Sequence, residues 1–182
     1  MLSSAAFAAL DSAVVARAAK VKLMIFDIDG VLTDGSLYYG ADGEAIKRFN
    51  VHDGLGIKLL EQAGIATAII SARQAPIVTR RAQDLGIPFV YQGVHDKRIT
   101  FAQLLADSGH LAADCGFLGD DVIDLPVLSQ AGFAISVPNG HPEVHARVHH
   151  VTRLSGGNGA AREVCDMLLR AQGKYDAVMA QF

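Results

Sequence analysis

The sequence has few cysteines and no long apolar run, and each absence excludes a class of protein. Its 182 residues include only two cysteines, Cys115 and Cys165, whose spacing matches neither a metal-binding motif nor a disulfide framework. We therefore expect reduced thiols and a cytoplasmic protein. No stretch is long enough to span a bilayer, so we expect no association within a membrane.

Basic residues are not in excess either. The 16 lysines and arginines are outnumbered by 19 acidic residues, which gives a net charge of −3. The sequence contains no basic stripe, and a net negative surface disfavours binding to a polyanion. We therefore expect no nucleic-acid partner.

The chain contains no linker or low-complexity tract, and its length suits one α/β domain over residues 1–182. Residues 1–20 are rich in alanine but lack the basic start of a signal peptide, and Asp11 interrupts their apolar segment. Their apolar residues recur at roughly helical spacing, which predicts one amphipathic helix packed on the domain or on a partner. Residues 173–182 form a tail of weak pattern.

Between these ends, short apolar runs alternate with segments of helical period. Glycine ends two of the helical segments, at Gly64 and Gly86, where it can adopt the left-handed conformation. The alternation predicts a doubly wound parallel sheet. The predicted strands are 23–26, 65–70, 87–91, 115–118, 133–137 and 150–152, and the predicted helices are 53–63, 76–85, 97–106, 125–130, 143–146 and 160–171.

A β-hairpin is predicted between the first strand and the first of these helices. Residues 36–39 and 45–50 have strand character, and residues 40–43, Gly-Ala-Asp-Gly, have the chemistry of a turn. The hairpin would project as a flap, 36–50, beside the end of the first strand, although an ordinary edge hairpin would show the same pattern.

Two carboxylates, Asp27 and Asp29, follow the first strand and precede Gly30. Chemistry in open α/β sheets collects at the carboxyl ends of strands. Acids at positions i and i+2 of an extended chain point to one side, so they could share one ion or one substrate. An acidic loop without function is the alternative. A dinucleotide site is disfavoured, because the strand does not open into G-x-G-x-x-G.

Polar residues also follow the later predicted strands. Ser71 and Arg73 follow the second, Lys97 begins the helix after the third, and a Gly-Asp-Asp-x-x-Asp motif follows the fourth. That motif contains Asp120, Asp121 and Asp124. A single serine or lysine in such a place is usually incidental, whereas the ordered set of four motifs is far more specific.

This ordered set resembles the haloacid dehalogenase superfamily of phosphotransferases, and the resemblance implies a Rossmann-like fold. It implies that Asp27 is a nucleophile and that Asp29 is the acid and base. Mg²⁺ would be held by Asp27, Asp120 and the backbone carbonyl of Asp29. Ser71 and Lys97 would bind the phosphoryl oxygens and offset their charge.

The resemblance also assigns a supporting role to Asp121 and Asp124, which would orient metal-bound waters and Lys97. Larger members of the superfamily insert a cap domain after the first or second motif. Here only the hairpin follows the first motif, and the 26 positions from Ser71 to Lys97 leave room for one βα unit. We therefore expect a member without a cap domain.

Longer segments resemble the 3-deoxy-D-manno-octulosonate 8-phosphate phosphatase family. They include D-G-V-L-T-D-G, F-N-V-H-D-G-L-G-I, Y-Q-G-V-H-D-K, G-D-D-V-I-D-L-P-V and S-G-G-N-G-A-A-R-E-V-C-D, between about Lys22 and Lys174. The resemblance implies a Mg²⁺-dependent homotetramer that dephosphorylates an eight-carbon sugar acid for lipopolysaccharide synthesis. His52 and Ala72 depart from the pattern, since close relatives often carry arginine and glycine there.

Three other functions remain open. A sister group acts on nine-carbon sialic-type acids and tends to carry an acidic residue at the position of Arg73, so Arg73 favours the eight-carbon substrate. A non-catalytic partner of a nucleotidyltransferase is disfavoured by the presence of Asp27, Asp29, Ser71 and Lys97. A phosphatase of proteins or nucleic acids would suit an open site, but the acidic balance disfavours nucleic acid.

Features near the C-terminus suggest further contacts with substrate. The loop Gly156-Gly157-x-Gly159 could seat an anion ahead of a helix or could be a plain turn. Arg162 could bind substrate or pair with Asp166 four residues later.

By resemblance to the tetramer, we expect the hairpin to pack on neighbouring subunits and the tail from Gly173, with Lys174, to reach over a neighbour's site. The hairpin residues expected at that interface are Leu37, Tyr38, Tyr39, Ile46 and Phe49.

Overall fold

A six-stranded parallel sheet forms the centre of the protein. The computed structural model describes residues 2–41 and 43–182. The strands are β1 (Leu23–Phe26), β2 (Tyr38–Gly40), β3 (Gly43–Ile46), β4 (Ala66–Ile70), β5 (Phe89–Tyr91), β6 (Cys115–Leu118), β7 (Phe133–Ser136) and β8 (His150–Val151). The large sheet has the order β5-β4-β1-β6-β7-β8, and β2 pairs with β3 separately.

Helices cover both faces of this sheet, as the doubly wound prediction requires. They are α1 (Ser4–Ala8), α2 (Ser12–Ala18), α3 (Val51–Gln62), α4 (Pro76–Leu85), α5 (Lys97–Ser108), α6 (Leu125–Leu128), α7 (Pro142–His145), α8 (Ala160–Ala171) and α9 (Tyr175–Met179). Short 3₁₀ turns precede β6 and α6, at Ala112–Asp114 and Val122–Asp124.

The central strand β1 is buried on both faces. Met24 and Phe26 pack in one core with residues of α2, α3, α4 and α8. Leu23 and Ile25 pack in the other core with residues of α5, α6 and α7. All four side chains are fully buried, which explains why this strand is a continuous apolar run rather than an alternating one. The predicted doubly wound fold is confirmed.

The N-terminal segment forms two helices, not the single helix that was predicted over residues 1–20. Asp11 is the reason, because its carboxylate accepts a hydrogen bond from the N–H of Ala13 (2.7 Å) and so begins a second helix. Val14 and Ala18 of α2 are buried in the core, which confirms that the segment packs on the domain. Met1 lies outside the described residues.

The C-terminal tail is more ordered than its weak pattern predicts. Residues Tyr175–Met179 form α9, and Val178 is buried against the protein's own core. Lys174 donates to the backbone carbonyl of Ala63 at the end of α3 (2.9 Å). In this structure the ammonium of Lys174 caps a helix of its own subunit, and the expected reach of the tail over a neighbour's site stays a prediction.

The predicted hairpin is present, with a shorter second strand than the predicted 45–50. Strands β2 and β3 pair antiparallel, with a register shift between Tyr38 and Tyr39. Asp42, within the predicted turn, lies outside the described residues. From residue 35 to α3, the described residues contain only this hairpin and its flanking loops, which agrees with the absence of a cap domain.

The helix–glycine–strand junctions form as predicted. Gly64 and Gly86 have φ values of 76° and 75°, the left-handed conformation that ends a helix and is costly for other residues. Gly86 directs the chain from α4 towards β5. The points at which the chain enters β4 and β5 are therefore set by glycines visible in the sequence.

Candidate active site

The carboxyl end of β1 lies at the point where the sheet changes winding direction. From β1 the chain proceeds to β4 and β5 on one side, and then to β6, β7 and β8 on the other. The crevice at such a switch point is where open α/β sheets bind ligands. Asp27 directly follows β1 here and is 5 % exposed.

The chain turns sharply after Asp27. The N–H groups of Val31, Leu32 and Thr33 all donate to the carbonyl of Ile28, at 2.9–3.2 Å. The chain therefore leaves the extended conformation just after Asp27, and the sharing of one ion or substrate by Asp27 and Asp29 stays a prediction. The observed partner of Asp27 is Lys97, and that of Asp29 is Lys47 of the hairpin segment.

Lys97, the first residue of α5, contacts Asp27 from the segment that follows β5, the strand on the far side of β4. Its ammonium lies 3.0 Å from Asp27 Oδ1 and 2.6 Å from Asp124 Oδ1. The second oxygen of Asp124 accepts the N–H groups of Asp120 (2.9 Å) and Asp121 (3.2 Å). Asp124 is thereby fixed by backbone, and it in turn fixes Lys97.

Asp120 approaches the loop after β1 so closely that only glycine fits opposite it. A Cβ atom on Gly30 would lie 2.1 Å from Asp120 Oδ2, and Gly30 also has a φ of +88°. The glycine of the D-x-D-G motif therefore serves two purposes, a left-handed turn and the close approach of a second carboxylate.

Asp27, Asp120 and Asp124 each place a carboxylate oxygen within 4.8 Å of the other two. Both oxygens of Asp124 are already engaged, as described above. Asp120 Oδ1 is buried and accepts no hydrogen bond from any described residue. Carboxylate oxygens are the donors that Mg²⁺ prefers, so Asp27 and Asp120 fit a small, hard divalent cation.

The charges of this cluster are poorly compensated by the protein alone. Burial raises the pKa of Asp27 to about 7, with Lys97 opposing the rise and Asp124 adding to it. Burial, followed by the charges of Asp27 and Asp124, raises the pKa of Asp120 to about 8. Three carboxylates thus share one ammonium, an excess of negative charge that a divalent cation would offset.

Ser71 lies at the end of β4, which is hydrogen-bonded to β1. In the register of the two strands Phe26 pairs with Ile69, so Ser71 follows at the level just beyond Asp27. Its side chain is buried, and its backbone is held by Tyr91 and Val94. The structure therefore brings Asp27, Ser71, Lys97 and Asp120 to one edge of the sheet.

Comparisons with known proteins show which family the chain resembles. The model of the haloacid dehalogenase-like hydrolase family matches residues 88–164. The 3-deoxy-D-manno-octulosonate 8-phosphate phosphatase of Escherichia coli K12 is 45 % identical over 168 residues, which cover 92 % of this chain and 89 % of that protein. The chain belongs to this phosphatase family.

Two solved structures of such phosphatases extend the similarity to three dimensions. The Moraxella catarrhalis phosphatase, in complex with magnesium, phosphate and KDO, has a TM-score of 0.90 and 43 % identity, and covers 93 % of this chain and 97 % of its own. The cobalt-bound Haemophilus influenzae phosphatase has a TM-score of 0.86 and 43 % identity, with coverages of 88 % and 94 %.

In this member of the phosphatase family, the hairpin supplies charged residues that the sequence analysis missed. Lys47 forms a short ion pair with Asp29 and lies 2.6 Å from Glu44. Arg73 donates to Glu44 (3.1 Å) and Tyr39 (3.2 Å). One indication of these contacts was present in the sequence, because Glu44 and Lys47 fall in the hairpin segment that was expected beside Asp27 and Asp29.

Arg73 lies at the rim of this phosphatase site. Its Nε is 3.8 Å from Asp29 Oδ2, and its side chain is 40 % exposed. His52 and Ala72, the two departures from the family pattern, are both exposed. Among the described residues, neither His52 nor Ala72 forms a hydrogen bond or ion pair with Asp27, Lys97 or Asp120.

Asp121 and Asp124 differ in role. Asp124 is fully buried and holds Lys97, as the resemblance implies. Asp121 is exposed, and its carboxylate caps the 3₁₀ turn by accepting the N–H of Val122 (2.7 Å). Support of the lysine therefore comes from Asp124, and the observed contact of Asp121 is a helix cap.

The glycine-rich loop before α8 already holds an anion, the carboxylate of Asp53. Asp53 accepts the N–H groups of Gly159 (3.3 Å) and Arg162 (2.8 Å). The Arg162 side chain is buried and its Nε lies 2.7 Å from Asp166. Of the two alternatives for Arg162, the structure shows the pairing with Asp166.

Gly156 in this loop also supports the site through Asn139, another residue that sequence reasoning missed. Asn139 donates to the carbonyl of Gly30 (2.9 Å) and accepts the N–H of Gly156 (2.8 Å). A Cβ on Gly156 would lie 1.8 Å from the Gly30 carbonyl oxygen. The loop therefore buttresses the turn that carries Asp29.

Proposed function

We propose that this protein hydrolyses 3-deoxy-D-manno-octulosonate 8-phosphate to the free sugar acid and phosphate, a step in lipopolysaccharide precursor synthesis. The observation that carries the proposal is the buried cluster of Asp27, Lys97 and Asp120 at the switch point, in a chain 45 % identical to such phosphatases over nine-tenths of its length. The protein is thus a phosphoric monoester hydrolase.

Asp27 and Asp120 would hold Mg²⁺, with the Asp29 backbone carbonyl as a further ligand. The ion would neutralise charge on the phosphoryl group, which otherwise repels an anionic nucleophile. Support comes from the pairing of buried, uncompensated carboxylates and from the magnesium bound by the Moraxella catarrhalis relative.

Asp27 is the proposed nucleophile. One of its oxygens forms a bond to phosphorus while the bond from phosphorus to the sugar oxygen breaks, which leaves an aspartyl-phosphate. Asp29 gives a proton to the departing sugar oxygen. It then takes a proton from water, which attacks phosphorus, releases phosphate and regenerates Asp27.

Ser71 and Lys97 bind the phosphoryl oxygens in this proposal. Lys97 is suited to the role because Asp27 and Asp124 hold its ammonium in one position, so little reorganisation accompanies the reaction. Ser71 contributes a hydroxyl from the adjacent strand end. Arg162 is not part of this proposal, because it is paired elsewhere.

Arg73 would contact the anionic groups of the sugar acid at the rim of the site. Its guanidinium is partly exposed and is oriented by Glu44 and Tyr39. Arg73→Ala should raise KM for the eight-carbon substrate more than KM for a small aryl phosphate. A marked preference of the wild type for a nine-carbon substrate would instead assign the protein to the sister group.

We also propose a homotetramer in which hairpins of neighbouring subunits close the sites. Support comes from exposed apolar hairpin residues: Leu37, Tyr38, Tyr39 and Ile46 are 40–64 % exposed, and a lone hairpin is marginal in water. Phe49 differs from the expectation, because it is half-buried in its own subunit beside Arg81. A protein that is monomeric by light scattering and fully active at the same concentration would refute this assembly.

Two further observations bear on the setting of the enzyme. Among the described residues, none of the helices combines the length and apolar character needed to cross a bilayer. Cys115 and Cys165 are buried and unpaired, which supports the proposed cytoplasmic location, where thiols stay reduced.

The function is tested by phosphate release from a panel of sugar phosphates in the presence of Mg²⁺. We expect hydrolysis of 3-deoxy-D-manno-octulosonate 8-phosphate, and loss of turnover in an Asp27→Asn protein that still folds, as judged by its circular-dichroism spectrum. An inactive wild type would favour the non-catalytic alternative. Wild-type rates in a folded Asp27→Asn protein would refute the role of Asp27 as nucleophile.

A further inference from the structure

The contacts of Asp29 are unequal on its two oxygens. Oδ1 is bound by the ammonium of Lys47. Oδ2 is buried and accepts no hydrogen bond from a described residue, with Arg73 Nε 3.8 Å away. Oδ1 is thus held by Lys47, and Oδ2 remains free to exchange a proton with a group in the crevice.

Lys47 is itself almost completely enclosed. Its side chain is 1 % exposed, compared with 19 % for Asp29 and 11 % for Glu44. Burying an ammonium is costly unless charged partners surround it. Burial disfavours the charged form, but hydrogen bonds to Asp29 and Glu44 outweigh this and raise the pKa of Lys47. An inaccessible lysine of this kind cannot bind substrate directly.

We propose that Lys47 is a positioning residue that acts through Asp29, holding Oδ1 so that Oδ2 faces the leaving group and then the attacking water. This inference rests on the proposed function and assigns the hairpin a part in acid–base chemistry. A carboxylate anchored at one oxygen loses its freedom to rotate, and general acids depend on such alignment.

Glu44 and Arg73 connect this anchor to the hairpin and to β4. Glu44 receives Lys47 on one oxygen and Arg73 on the other. Tyr39, the cross-strand partner of Glu44 in the hairpin, contacts Arg73 as well. Two cations and two carboxylates therefore alternate, and the position of Asp29 depends on where the hairpin is seated.

The test compares Lys47→Met, Asp29→Asn and the double variant, with Lys58→Met as the control. Lys58 is an exposed lysine of α3, so its replacement removes the same charge without touching Asp29. The measured quantity is kcat/KM at saturating Mg²⁺ for two substrates, the sugar acid phosphate and para-nitrophenyl phosphate. Only the sugar alkoxide needs a proton donor as it leaves.

We expect Lys47→Met to lower kcat/KM for the sugar phosphate by about 10-fold or more, since general acids contribute about 10²- to 10⁴-fold. The value for the aryl phosphate should change by less than about 3-fold, because its leaving group needs no acid. The double variant should match Asp29→Asn within about 3-fold, because groups that act as one unit are not additive. Lys58→Met should match the wild type.

Equal losses on both substrates, or multiplied losses in the double variant, would overturn the positioning role and indicate a general disturbance of the hairpin. If Lys47→Met does not fold, Lys47→Gln enters the same cycle with the same expectations. Failure of the proposed function is recognised separately, since the wild type itself would then release no phosphate from the sugar acid phosphate.

Discussion

Replacing Lys97 with methionine should destabilise the metal-free protein strongly. The ammonium lies 3.0 Å from Asp27 Oδ1 and 2.6 Å from Asp124 Oδ1, and the three side chains are 2 %, 6 % and 0 % exposed. Methionine keeps the apolar stem and its contact near the Phe117 ring but removes the charge. Two carboxylates would then remain buried without a cation.

The size of the effect follows from this burial. Removing one partner of a buried ion pair costs about 3–5 kcal/mol. For a chain of this length, 1 kcal/mol corresponds to roughly 2–4 °C in melting temperature, so we expect a fall of about 6–20 °C. Asp124 cannot turn away, because backbone N–H groups hold its second oxygen. Asp27 can take up a proton, so the fall in melting temperature should lie at the lower end of this range in acidic buffer.

The assay is thermal unfolding of Lys97→Met and the wild type, each with chelator and with excess Mg²⁺. Lys58→Met serves as the control, since exposed substitutions usually change stability by about 0.5 kcal/mol or less. Added Mg²⁺ should recover part of the loss in Lys97→Met, because the ion offsets the charge of Asp27. Phosphate release should be lost in either condition.

A fall of less than about 3 °C in chelator would refute the reasoning, because a buried pair cannot be removed at so small a cost. A fall that Mg²⁺ does not reduce would show that the metal does not bind beside Asp27. Either result would require a different account of how the cluster is held.

Three further predictions concern the metal and its neighbours. Chelation should abolish phosphate release and Mg²⁺ should restore it, whereas Ca²⁺, which accepts more ligands, should inhibit; full activity after exhaustive chelation would contradict the metal requirement. The raised pKa values of Asp27 and Asp120, about 7 and about 8 against an ordinary 3.8, mean that the metal-free folded protein binds more protons than the unfolded chain between about pH 4 and 8. The free energy of unfolding should therefore fall as pH rises through that window, by up to about 1.4 kcal/mol per pH unit for each group. Denaturant titrations in chelator at several pH values should show a smaller fall for Asp120→Asn than for the wild type. Equal pH dependence in the two proteins would contradict this prediction. Gly30→Ala should weaken Mg²⁺ activation by about 10- to 100-fold, because its Cβ would lie 2.1 Å from Asp120 Oδ2, whereas Gly64→Ala, with comparable φ and open space around it, should leave activation unchanged.

The sheet and the meeting of polar residues at its carboxyl edge were predictable because they depend on local patterns. The buried run of β1 and the glycine-ended helices have strong periodic signals. The carboxyl ends of parallel strands meet at one edge, so Asp27, Ser71, Lys97 and Asp120 come together once the sheet order is set. Their prediction needed no side-chain detail.

Contacts made by the hairpin and the termini were not predictable in this way. Glu44 lies in a short strand and Lys47 directly follows it, and solvent exposure is the ordinary expectation for charged residues in such a segment. Asp11 interrupts an apolar pattern in sequence but caps a second helix in the structure. In each case the outcome depends on a tertiary contact or a cap rather than on periodicity.

The two carboxylates of the first motif belong to different parts of the molecule. Asp27 is held by the sheet through Lys97, and Asp29 is held by the hairpin through Lys47. The hairpin segment is tied to the rest of its subunit by the ion pairs of Lys47 with Asp29 and of Glu44 with Arg73, while most of its large apolar side chains are exposed. A partner that covers those residues would therefore stabilise the acid–base carboxylate without touching it. In a phosphatase without a cap domain, assembly and acid–base alignment would then be linked through one lysine.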